Sequence, residues 1–262
     1  MKKIVLTITV CFIGLSMFCQ TNILDASTLT ANLKTDAHSV KREETMNFEV
    51  KDIDAARLNV HQVFTVLDAE GEDALFFMEY SSAFRKLEEA EIKVYDAHAK
   101  LINKYKKKEM RAEAIGEGLV EDGTVYFFRV AAPSFPITVQ YDYEIKYKGT
   151  LNYPDYDIEE PGQSVESSDY TASVPSDLDL RFKAKNINIT PAITSNGKYK
   201  YYHWEVKNLT AINKEEGAAS RGSAYPQVLI APNKFSMDGN EGDLTSWKSF
   251  GSWYSNLARG SF

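Results

Sequence analysis

One eleven-residue stretch, ITVQYDYEIKY from Ile137 to Tyr147, limits the fold more than any other part of the chain. Ile137, Val139, Tyr141, Tyr143, Ile145 and Tyr147 alternate with Thr138, Gln140, Asp142, Glu144 and Lys146. One face is therefore apolar or aromatic and the other wholly polar, the pattern of a strand with one side in a core and one in water. At about 3.4 Å per residue the strand reaches roughly 37 Å. That exceeds the usual strand length and suits a large sandwich better than a compact barrel.

Other segments repeat the theme. Leu58, Val60, Phe64 and Val66 alternate within 57–67, and DAEGED follows as a turn. Ile92 and Val94 lead into Tyr95–Asp96, after which AHAKL reverses the chain. Strands are also expected at 125–130, 170–174, 178–184, 199–206 and 227–231, with Pro and Gly at the boundaries. The predicted fold is all-β: a large antiparallel β-sandwich with long strands and a short C-terminal helix. A turn or two of helix is expected at 82–90. In SWKSFGSWYSNLARGSF, Trp247, Phe250, Trp253, Tyr254 and Leu257 line one side of a helix, with Ser246 as N-cap and Gly260 as its stop.

The chain of 262 residues divides unevenly. Lys2 and Lys3 lead an apolar run from Ile4 to Phe18, so residues 1–19 read as a secretory signal peptide. Cleavage is expected near Cys19–Gln20, with lipidation of Cys19 the less favoured alternative because Met17 and Phe18 stand where small residues belong. Both cysteines, Cys11 and Cys19, then leave with the leader. After it come an N-terminal segment at 20–33, the sandwich at 34–240 and a linker helix at 241–262. The acid-, Pro- and Gly-rich stretch 152–168 either joins two sheets or divides two sub-domains. The expected destination is the periplasm or the cell surface, with no membrane span once the leader is gone.

Charge and motifs narrow the function classes. Loss of two lysines takes the net charge from −7 to −9, against nucleic-acid binding, which needs a basic footprint. The basic run from Lys104 to Arg111 reads as a solvated turn or strand edge. His38, His61, His98 and His203 lack motif spacing, and His203 reads as a hydrogen-bonded structural histidine. Its strand face is shared with Tyr199, Tyr201 and Glu205, while Tyr202, Trp204 and Val206 point the other way. No cofactor is expected and no catalytic residue is assigned. Two acidic loops are weak calcium candidates, through Asp155 and Asp157, and through Asp238, Asn240 and Asp243. A hydrolase with carboxylates brought together from separate strands is a further reading.

The order of YDAHAKLINKYKKKEM, FPITVQYDYEI, SSDYTASVP, YYHWEVKN and PQVLIAP resembles a family of uncharacterised secreted domains that precede transglutaminase-like domains in Gram-negative bacterial proteins. The resemblance spans roughly residues 34–262 and implies a β-sandwich similar in architecture to the N-terminal β domain of zinc aminopeptidases. It also implies an exit helix with a Trp-x-x-(Phe/Tyr)-Gly-x-Trp pattern, matched by Trp247, Phe250, Gly251 and Trp253. The catalytic Cys, His and Asp of the following domain would lie beyond this chain. The expected function is thus a non-catalytic accessory module, with a transglutaminase-like or peptidase-like domain in cis, or a protein or peptide, as partner. The alternative is an independent glycan- or peptide-binding sandwich using exposed rings such as Tyr153 and Tyr156. Trp247 and Trp253 are the candidate docking residues.

Overall fold

The alternating stretch forms a strand at Ile137–Lys148 inside an eight-stranded sheet. The structure, a computed structural model, describes residues 22–116, 123–212 and 225–259. The leader read at 1–19, its Cys19 and the helix stop at Gly260 lie outside those residues. Among the described residues the strands are β1 Ser39–Asp52, β2 Ala55–Val66, β3 Phe76–Ser81, β4 Arg85–Tyr95, β5 Leu101–Lys106, β6 Arg111–Ile115, β7 Gly123–Arg129 and β8 Ile137–Lys148. They continue with β9 Tyr156–Asp157, β10 Gln163–Pro175, β11 Leu180–Lys185, β12 Ala192–Ser195, β13 Tyr199–Leu209, β14 Gln227–Pro232, β15 Lys234–Met237 and β16 Asn240–Asp243. Helix α1 spans Ala31–Lys34 and helix α2 spans Trp247–Arg259.

The large sheet has the order β12-β13-β10-β1-β2-β8-β4-β5. Its neighbours are antiparallel except β1 and β10, which run parallel from Ser39 beside Gln163 to Glu49 beside Ser173. Two three-stranded sheets, β11-β14-β9 and β3-β7-β6, cover one face. Phe182 and Tyr156 meet Trp204 and Tyr170 under the first, and Phe77 meets Tyr141 and Tyr143 under the second. Trp204, Tyr170, Ile145 and Val139 are fully buried there. The all-β sandwich expected from the alternation is the architecture found, and the large sheet does not close into a barrel.

A β-bulge puts charges into this core. The register steps from Lys41 opposite Phe64 to Glu43 opposite Val63, leaving Arg42 unmatched. The extra residue turns Lys41 and Glu44 to the same inner face, although residues three apart in a regular strand face opposite ways. Glu44 accepts from Lys41 Nζ at 2.9 Å, from Gln62 at 2.6 Å and from Ser168 at 2.5 Å. Tyr156 donates to Ser168 at 2.8 Å, and Lys41 also donates to the Ile158 carbonyl at 3.0 Å. Both charges are buried yet fully partnered, the condition under which burial is tolerated.

A second bulge corrects the expectation of a helical turn at 82–90, a stretch that enters the extended strand β4 at Arg85. The register shift between Leu87 and Glu89 sends Leu87, Ala90 and Ile92 inward. Their spacing of three and then two imitates a helical period in an extended strand.

Candidate functional site

The other face of the large sheet is polar and only partly covered. Its covered end lies beneath the N-terminal segment, where Leu29 and Leu33 pack on Val40 and Leu67. Arg42, whose side chain is fully buried, fastens that segment. It donates to the Asp25 carbonyl at 3.2 Å and the Thr28 hydroxyl at 2.7 Å, and pairs with Glu166.

The uncovered part is laid out by strand register. One line across six strands reads Glu205, Asp169, Thr45, His61, Asp142, Glu91, from β13 to β4. The next reads His203, Thr171, Asn47, Asn59, Glu144, Glu89. The β2, β8 and β4 portion borders a cleft of about 910 Å³, with Lys106, Lys107 and Lys108 on its rim. A smaller hollow of about 540 Å³ opens beside Asn22, Ile23 and Leu24, and His61 and Gln140 line both.

His61 and Asp142 both line the cleft, with Nδ1 and Oδ1 2.6 Å apart. Gln140 donates to the second carboxylate oxygen of Asp142 at 2.6 Å, and Lys93 Nζ lies 3.5 Å from it. Lys93 and Lys104 bracket Glu91 at 3.0 and 2.7 Å, and Arg57 holds Glu144 at 2.9 Å. The hydrogen bond to Asp142 raises the imidazole above its usual value against the opposing effect of burial. Burial pushes Asp142 up, but the hydrogen bonds from His61 and Gln140 outweigh it and the carboxyl titrates low. Cross-strand pairing so neutralises most charges on the face and leaves the carboxamides of Asn47 and Asn59 without a protein partner among the described residues. The arrangement offers fixed donors and acceptors on a rigid floor.

At the β13 end, His203 is held as the sequence predicts for a structural histidine. Nδ1 lies 3.1 Å from the Thr171 hydroxyl and Nε2 3.4 Å from Asp169. Tyr199 and Tyr201 stand half-buried on the same face.

The sequence-predicted candidates are not brought together. Tyr153 and Tyr156, expected to be exposed, are buried, because the 152–162 loop folds inward onto the sheet. Tyr153 meets Phe48 edge-on at 4.8 Å and Tyr156 stacks on Tyr170 at 5.5 Å. In that loop Asp155 accepts from the Ile230 amide at 2.8 Å and Asp157 is exposed on β9. Asp238 lies at the tip of the β15–β16 hairpin with φ 51°, and Asn240 donates to its carbonyl. Asp243 accepts from the Thr245 amide at 2.7 Å. Among the described residues no three acidic or imidazole groups converge on a metal position.

Helix α2 starts as expected, with the Ser246 hydroxyl accepting from the Ser249 amide at 3.1 Å. Its two tryptophans part company. Trp253 lies edge-on to the fully buried Phe235 at 4.9 Å, whereas Trp247 is 89% exposed and Tyr254 63%.

These features can be set beside known proteins. The solved structure of a "putative protease" from Parabacteroides distasonis superposes with a TM-score of 0.64 at 11% identity. The overlap covers 74% of this chain and 40% of that one, and shows a shared fold. An M1 zinc metallopeptidase from Deinococcus radiodurans overlaps 79% of this chain and 46% of its own at a TM-score of 0.34 and 8% identity. Yeast LTA4 hydrolase overlaps 76% and 29% at 0.33 and 10%. These two likenesses are too loose to carry an argument. No curated protein matches the chain in sequence. The family model described as a domain of unknown function with solved structure, DUF3857, matches residues 55–213, more than half of the chain and most of the large sheet. The chain therefore belongs to the DUF3857 family.

Proposed function

We propose that this chain is a non-catalytic accessory module, exported from the cytoplasm, that docks onto a peptidase-like or transglutaminase-like domain and positions its substrate. The observation that carries the reading is the division of labour on α2. Trp253 anchors the helix to the sandwich through Phe235, while Trp247 and Tyr254 present large rings to solvent. Exposed aromatic rings on a fixed helix are the kind of anchor that interfaces concentrate. The family assignment and the fold shared with a larger protease-named protein support a peptidase-associated module. This chain spans 40% of that structure, so the larger protein has further parts to which such a helix can lead.

The test is a photo-crosslinking amino acid placed at 247 or 254 in cells of the source organism. Capture of a peptidase-like or transglutaminase-like sequence, in the same polypeptide or another, is expected from both positions. Failure of both to capture any such sequence would sink the reading. A purified chain that hydrolysed protein substrates, with activity lost on substituting one of its own residues, would overturn the non-catalytic part.

A further inference from the structure

We propose that the open face of β13, β10 and β1 is a binding trough for a neutral oligosaccharide, with Tyr201 as its stacking platform. The proposal does not depend on a partner at α2. Strand register builds the trough. Its floor is β10, whose outward residues Asp169, Thr171 and Ser173 are short. One wall is β13, with Tyr199, Tyr201 and His203 outward, and the other is β1, with Thr45, Asn47 and Glu49 outward. At the usual inter-strand spacing the walls stand about 10 Å apart.

The ring of Tyr201 is held in place. Its hydroxyl accepts from the Asn196 carboxamide at 2.9 Å, and Tyr199 lies 6.4 Å away, tilted by 46°. Lys198 Nζ lies 5.5 Å from the Tyr199 centroid and occupies one side of that ring, so Tyr201 is the principal platform. An aromatic face with a polar tip suits a ligand that is apolar on one side and hydroxylated around its rim, as a pyranose is.

The charge around the trough favours a neutral ligand. Around the trough Glu205 pairs with Lys207, His203 with Asp169, Glu49 with Lys51, His61 with Asp142 and Arg57 with Glu144. The uncommitted groups facing it are the carboxamides of Asn47 and Asn59, which donate and accept toward hydroxyls. A peptide is disfavoured because this is a sheet face: the backbone groups of β10 are taken up by β1 and β13, so no strand can be added here.

The experiment is titration of the isotope-labelled chain with cellotetraose, maltotetraose and an N-acetylglucosamine tetramer, followed by amide NMR. An oligogalacturonate and an uncharged extended peptide serve as comparison arms. The expected result is saturable shifts at Thr171, Ser173 and Tyr201 with at least one neutral sugar. Affinity should fall about tenfold or more in Tyr201→Ala and stay within about threefold in Tyr201→Phe, which keeps the ring. No shift with any neutral sugar, shifts elsewhere on the molecule, or preference for the anionic sugar or the peptide at these residues overturns the proposal. The wild-type map decides even if Tyr201→Ala folds poorly.

Discussion

Lys41 and Glu44 are ion-paired at 2.9 Å on the inner face of β1 because one unmatched residue, Arg42, separates their registers. Both side chains are almost wholly buried, so breaking the pair from one side strands a charge in the core. Lys41→Met alone, or Glu44→Leu alone, is expected to cost about 3–5 kcal/mol of unfolding free energy in urea titrations. The double substitution should cost less than the sum of the two. Strict additivity would show that the pair is not coupled.

Arg42 points the other way and clamps the N-terminal segment through Asp25 and Thr28. Arg42→Ala should accelerate amide hydrogen exchange across Ala26–Lys34 well before it affects β8, because the lost bonds are local to that segment. Uniform acceleration through the sheet would instead mean that the segment belongs to the global folding unit.

Glu159 gives a signed pH dependence. Burial pushes its carboxyl up to about 7, against the hydrogen bond from the Ile212 amide and the charge of Lys41. In the unfolded chain it ionises near 4.5, so the native state holds the proton over a wider range. Stability is therefore lost as pH rises from about 4.5 to 7, and stays lower above that window. Compared with Glu159→Gln, the wild type should lose roughly 2–3 kcal/mol between pH 5 and 8. Parallel stability curves for the two proteins would contradict the assignment.

His61 should titrate above 6.5 in the folded chain, and Asp142→Asn should bring it down, since the hydrogen bond to the carboxylate is what raises it. Its stabilising contribution is present below 6.5 and disappears as pH rises through the raised value. Histidine side-chain NMR on the two proteins reads the shift directly, and an unchanged His61 midpoint in the variant would refute the pairing.

Gly242 sits against the ring that anchors α2. A Cβ there would lie 2.2 Å from the Phe235 ring, too close without movement of the hairpin. Gly242→Ala is expected to loosen the Phe235–Trp253 contact at a cost of about 1–3 kcal/mol. In a variant with Trp204 and Trp247 replaced by Phe, Trp253 emission should then shift to the red. An unmoved spectrum would show that the hairpin absorbs the methyl elsewhere.

The large-sheet strands with clean alternation were legible from their residues: β8, β2 and β13 lie where the period of two places them. Strand β1 was hidden because Lys41, Arg42 and Glu44 occupy buried positions, so a core strand reads as a charged run. The inward-facing Leu87 and Ala90 read as helix for the related reason that a bulge resets the period. The polar face was less accessible still. His61 and Asp142 are 81 residues apart, and only register makes them neighbours. Tyr199, Tyr201 and His203 could be seen to share a face, but nothing local says what lies opposite. Tyr153 and Tyr156 misled because an acidic, proline-containing loop normally marks solvent, and here it is drawn inward by two rings.

The parallel seam between β1 and β10 has a consequence for how this chain reaches its native state. One wing, β1-β2-β8-β4-β5, and the other, β10-β13-β12, are joined in the sheet by the β1–β10 seam, whose partners, such as Ser39 and Gln163, are 124 residues apart. Until that long loop closes, β1 offers an open edge to any other strand in reach. Loop closure over such a distance is slow relative to hairpin formation. Joining of the seam is therefore the step at which folding and self-association compete, and dilution should favour the native product.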